Sequence, residues 1–226
     1  MPTISSELQA IFDRERADAT TDTSADAGAA RTHTIRMHGR LDALQRRTIE
    51  LNHVTIECSR GCSYCCHLRV EIRPHDAFVL AEHLRRTCTA VELAAVLERL
   101  RHNLARIASL SADEHIRAGI PCALLKEGAC TAYEARPATC RKYHSVSVAT
   151  CRDAYHDTSA PLTGEIEDER VRLAGNAVAL GYAKGLDDSG FDAGLYEFHF
   201  ALQRALTDAR AEKRYRHRKR AFAGGA

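Results

Sequence analysis

The chain has 226 residues, 45% of them hydrophobic and 27% charged, with a formal net charge of only +2. That is enough apolar material for one sizeable core. The near balance of charge excludes a global field that would draw the whole molecule to nucleic acid or to an anionic membrane. No stretch reaches the ~18 apolar residues of a membrane span, and residues 1–18 interrupt their apolar positions with Glu, Asp and Arg, unlike an export signal. The cytoplasm is therefore the expected location. Nine cysteines in a reducing compartment are rarely disulfides and more often bind metal or carry out redox chemistry.

In chain order, residues 1–18 read as a short amphipathic helix through Ile4, Leu8 and Ile11. Residues 19–34, rich in Thr, Asp, Ala and Ser, read as a linker, so that 1–34 forms a partly disordered appendage. A second helix follows with Ile35, Leu41, Leu44 and Leu51 as its apolar positions. His53–Glu57 reads as extended, and Leu68–Ile72 alternates like a strand. Pro74 suits the first turn of a helix, on which Ala77, Ala81, Leu84 and Cys88 form one stripe. Thr89 with Glu92 is a capping box, opening a helix with Leu93, Leu97, Leu100, Leu104 and Ile107 on one face. Residues 119–151 read as irregular. Two more helices carry Val171, Ala174, Val178 and Tyr182, then Leu195, Phe198, Leu202, Leu206 and Ala209, with Gly185 and Gly190 punctuating the gap. A basic tail, 211–226, closes the chain. The expected fold is mainly α: a helical domain over 35–210 around an irregular, cysteine-rich metal-binding centre.

Eight cysteines fall into two groups along the sequence. Cys58, Cys62, Cys65 and Cys66 are packed into nine residues; Cys122, Cys130, Cys140 and Cys151 are spread over thirty. Close spacing lets one turn of backbone aim several thiolates at one centre, and Gly61 gives that turn its freedom. Soft thiolates select zinc, copper(I) or iron–sulfur clusters over magnesium or calcium. Eight of them can serve two four-cysteine sites, or one site and a redox pair. Cys65 and Cys66, being adjacent, are expected to point apart and serve different ions or edges. Cys88 continues an apolar stripe and reads as core. Arg60, Arg136, Arg141 and Lys142 flank the thiols and could offset their charge. His67 and His144 stand close enough to be ligands or supporting donors.

The runs CSRGCSYCCHLRVEI and PCALLKEGACTAYEARPATCRKYHS, followed by Cys151, resemble the YkgJ-type CxxCxxCC cysteine-cluster family, to whose domain zinc or iron chelation is ascribed. The resemblance extends from about Thr55 to about Leu206, and Cys130-x-x-Tyr133-Glu134-x-Arg136-Pro137-x-x-Cys140-Arg141 carries it most specifically. Here three residues, not two, separate the first two cysteines. The resemblance implies zinc or iron, an iron–sulfur cluster included, bound by Cys58, Cys62, Cys65, Cys66, Cys122, Cys130, Cys140 and Cys151. It implies no reaction. The family also includes flagellin lysine-N-methylases, but the chain shows no match to a methyl-donor pocket.

Two other readings stay open. One is a structural zinc protein whose helices bind a protein partner. The other is a radical enzyme, because Cys58-x-x-x-Cys62-x-Tyr64-Cys65 resembles the radical S-adenosylmethionine signature; the long helices that follow the motif do not fit the alternating strands and helices of that fold. The metal ion is the expected partner. The basic run Arg210–Arg220 has the look of a solvated terminus, so nucleic acid and membrane are not expected partners.

Overall fold

A computed structural model describes residues 4–25, 27–158 and 166–223 of the chain. These form ten α-helices and two short antiparallel ladders, the mainly helical architecture expected. Among the described residues no helix is long and apolar enough to cross a membrane.

Helix α1 (Ile4–Ala25) continues through residues 19–25 of the segment that composition marks as linker, a 3-10 turn follows over Ala27–Ala29, and α2 (Ala30–Leu51) takes in residues 30–34. The cause lies far along the chain, on α8 (Glu169–Asp188). A Cβ built on Gly181 would collide with the carbonyl oxygen of Phe12, and one on Gly185 with that of Arg16. Glycine at both positions lets the two helix backbones touch, and Ala19 and Thr23 are buried in the seam. Gly185 is thus a packing residue inside a helix; Gly190, at φ +80°, is the one that terminates it. Glu15 on α1 is 1% exposed. Its carboxylate accepts two hydrogen bonds from the Arg40 Nε (2.8 and 2.9 Å) and one from Nη2 (2.6 Å), the pairing a buried carboxylate requires.

The inward face of α2 differs from the expected one. It buries His33, Thr34, Met37, His38, Leu41 and Gln45, while Ile35 and Leu51 face out. Helix α3 (Pro74–Thr87) starts at its proline and buries Ala77, Ala81 and Leu84; Cys88 ends it, half-buried against the core. The Thr89–Glu92 capping box opens α4 (Ala90–Ile107) and contributes about 1 kcal/mol. A second box, Ser111–Glu114, opens α5 (Ala112–Arg117). Helices α3 and α4 pack on α9 (Phe198–Thr207). Strand β1 (Glu71–Ile72) pairs with β4 (Tyr196–Glu197), and β2 (Leu125–Lys126) pairs with β3 (Ala129–Cys130).

The basic C-terminal run does not hang free. It forms α10 (Ala211–Arg216), and the rings of Tyr215 and Phe222 are buried against Phe78. Arg214 pairs with Asp208 and Arg216 with Glu212. Two short helices, α6 (Ala138–Lys142) and α7 (Val148–His156), carry the last cysteines.

Candidate metal centre

The cysteine segments are held together by backbone. At Gly61 (φ +100°) the chain turns, and Cys62 N–H donates to Ser59 O. The N–H groups of Glu57 and Cys58 both donate to Ser145 O (2.9 and 3.3 Å), which docks the start of the first group on the end of the second. On the other side Cys122 N–H donates to Cys66 O at 2.7 Å. Glu127 and Gly128, both at positive φ, make the two-residue turn that a tight hairpin requires. That turn sets Cys130 opposite Leu125. Pro137 precedes α6 and accepts from Cys140 N–H, bringing Cys140 back towards Cys130.

All eight thiols come to one region, around two adjoining cavities. One, of about 220 Å³, is lined by Cys62, Cys65, Cys66, Cys122, Cys130 and Cys140. The other, of about 200 Å³, is lined by Cys58, Cys62, Cys65, Cys140 and Cys151. Cys62, Cys65 and Cys140 are common to both. The two sequence groups are therefore interleaved. Ser145 joins Cys58 to Cys151: its N–H donates to Cys58 Sγ at 3.1 Å, and Cys151 Sγ donates to its Oγ at 3.1 Å. Cys66, Cys122 and Cys130 line the larger cavity and not the smaller one. Cys65 and Cys66 both line the larger cavity, and of the two only Cys65 also faces the smaller one. Cys88 lies outside both cavities. Among the described residues no three Cys, His, Asp or Glu side chains converge closely enough to hold a single ion. The thiols stand around open volume.

The donor set is soft. His144 accepts from Asp168 N–H at Nε2 (3.0 Å) and its Nδ1 meets Lys142 O (3.2 Å). His199, on the wall of the larger cavity, is engaged at both nitrogens by Glu197 and Asn103. His67 meets Ser63 O through its Nδ1, and its ring lies tilted against Tyr155 at 4.7 Å. Sulfur is left as the available ligand, and it suits zinc, copper(I) or iron–sulfur centres.

Burial disfavours the thiolate at several of these positions. It pushes Cys122 and Cys140 up most strongly, Cys140 to about 12, and raises Cys58, Cys130 and Cys151 as well. The Cys65 thiol is raised first by its hydrogen bond with Cys66 and then by burial. Arg136 opposes this at Cys65, Cys130 and Cys140. Its guanidinium lies 3.7 Å over the Tyr133 ring, with that of Arg60 at 5.2 Å. The other two flanking cations serve elsewhere: Arg141 pairs with Asp42 (2.7 Å) and Lys142 donates to Asn176 (2.6 Å).

Neither the curated proteins nor the solved structures include a match to this chain. Residues 57–161, just under half of the chain, match the family model of the CxxCxxCC domain, to which zinc or iron chelation is ascribed. The match begins at the docked segment before Cys58, ends beyond Cys151 and stops well short of Leu206. It contains every thiol that faces the two cavities. Over residues 57–161 the cysteine-bearing segment of this chain is therefore similar to the CxxCxxCC domain.

Proposed function

We propose that the protein chelates zinc or iron through these eight thiolates, in two neighbouring centres drawn from both sequence groups. Cys58 and Cys151, joined by Ser145, belong to one. Cys66, Cys122 and Cys130 belong to the other. Cys62, Cys65 and Cys140 stand between them and complete each set. The observation that carries this reading is the cavity pair itself, walled by sulfur with the neighbouring imidazoles already engaged.

The size of the larger cavity favours a polynuclear occupant, an iron–sulfur cluster among them. A lone tetrahedral zinc holds its sulfurs at about 2.3 Å and leaves no room for water between them. A volume of about 220 Å³ with thiols around its rim suits a cluster whose bridging atoms span the gap. When bound, such a centre supplies electron transfer or Lewis acidity. The chain supplies thiols in fixed positions, the Arg136 charge beside them and N–H donors to Cys58 and Cys122 sulfurs.

Paired serine variants test the assignment. Cys58→Ser/Cys151→Ser should remove part of the bound metal and leave the rest, and Cys66→Ser/Cys122→Ser should remove the complementary part. Total loss of metal in both folded variants would mean one shared centre. Full retention in both would end the chelation reading.

A further inference from the structure

Behind the larger cysteine cavity lies another, of about 270 Å³, at the start of α3 and against α8. Arg69, Val70 and Thr139 line both, so an occupant would stand one layer of side chains from Cys140. The walls are cationic. Arg69 is matched by Glu71 at 2.7 Å. Asp76 is matched too: its Oδ1 accepts from His38 Nε2 (2.7 Å) and from Ala138 N–H (3.2 Å). Arg73 and Lys142 are not matched. Arg73 donates to Ala193 O and Lys142 to Asn176 Oδ1, and among the described residues neither has a carboxylate within 4.0 Å.

A second observation is independent of those charges. His75 is 3% exposed and lines the same cavity. Its Nδ1 has no hydrogen-bond partner. Its Nε2 lies 3.7 Å from Asp76 Oδ2, too far for a good hydrogen bond. An unpartnered buried ring nitrogen is destabilising unless something else meets it.

We infer that this cavity is a binding site for a small oxyanion, a phosphate or a compact carboxylate, held by Arg73 and Lys142 with His75 meeting its hydroxyl or oxygen. The cavity is smaller than the roughly 300–1,000 Å³ sites that take drug-sized ligands, so the occupant is a few atoms across. The inference does not depend on which metal the thiols hold.

The test is isothermal titration of the full chain, as purified with its metal, at constant ionic strength. Inorganic phosphate and malonate are the two ligands and chloride is the reference. One-to-one saturable binding of either is expected. Phosphate alone would identify a phosphate or phosphate-ester ligand, malonate alone a carboxylate, and both the shared oxyanion chemistry. Lys142→Met should weaken binding at least tenfold with metal content unchanged. Ala179→Leu, which fills the cavity without touching a charge, should abolish it. No saturable binding of either ligand up to ~10 mM would overturn the inference, as would unchanged affinity in folded Ala179→Leu. Metal content, measured on the same samples, reports on the chelation reading separately.

Discussion

Proton release on metal binding follows directly from the thiol environment. Burial raises Cys140 from 9.0 to about 12, three units or about 4 kcal/mol against its thiolate. Cys122, Cys130 and Cys65 are raised with it. In the metal-free protein at neutral pH these thiols are therefore protonated, and each must lose its proton to become a ligand. Every such thiol adds one decade of apparent affinity per pH unit. A four-thiolate centre should gain about three to four decades per unit between pH 6.5 and 8.5 without bending, whereas ordinary thiols, with pKa near ~8.5, would already level off there. Competition against a chelator under anaerobic conditions measures the slope, and calorimetry in buffers of different ionisation enthalpy counts the protons. A slope below about two decades per unit by pH 8.5 would refute the reasoning. The sign for the apo chain is the reverse. A thiol with a raised folded pKa stabilises the fold below its unfolded value, so apo stability should be lost as pH climbs from 9.0 towards about 12.

Arg136→Gln removes the one charge that opposes burial at three thiols and should weaken metal retention about tenfold in the same competition assay; unchanged affinity would make Arg136 a scaffold residue only. Gly185→Ala tests the α1–α8 seam by its sign. An open helix position would gain about 1 kcal/mol from alanine, but here the new Cβ would also stand 2.7 Å from Ala19 Cβ, so a net loss of about 1–2 kcal/mol in urea unfolding is expected, and a gain would contradict the packing. His75, depressed by burial to about 4, is neutral in the fold and takes a proton when unfolded. Its contribution of about 3 kcal/mol should be present above pH 6.5 and lost as pH falls from 6.5 to about 4. The stability gap between wild type and His75→Phe should move by that amount across the window, and a pH-independent gap would count against it.

What the chain reveals before folding is what local chemistry decides. Pro74 at a first helical turn and Thr89 with Glu92 are local devices, and both stand where their spacing puts them. The resemblance to the CxxCxxCC domain is legible for the same reason: the run from Cys130 through Arg136 and Pro137 to Cys140 is one continuous segment. The inward face of α2 is harder. Its buried side carries His38 and Gln45, and their partners, Asp76 and Lys142 O, lie 38 and 97 residues away. Polarity along the helix therefore points the wrong way. The seam of α1 is hidden likewise, because small residues that look like a linker need Gly181 and Gly185 opposite them.

The candidate site divides in the same manner. Eight cysteines and their soft chemistry can be read from spacing, and so can the turn at Gly61. Their grouping cannot, because sequence proximity sorts Cys151 with Cys122, whereas Ser145 ties it to Cys58. The Glu127–Gly128 turn that sets Cys130 is not marked either, because Glu-Gly is not among the dipeptides that signal a two-residue hairpin and residues 119–151 read as irregular. The oxyanion cavity offered no such signal, since Arg73, His75, Lys142 and Asn176 come from three separate segments.

The central claim is that these thiols hold metal, and the most direct measurement is the metal, sulfide and free-thiol content of protein purified without oxygen, with its absorption spectrum. Bound zinc or iron, with eight of the nine cysteines protected from a thiol reagent until the metal is removed, is the predicted result. Iron with inorganic sulfide and a broad band near ~400 nm would identify the occupant of the larger cavity as a cluster. A folded protein with no metal, and nine thiols that react at once, would contradict the account.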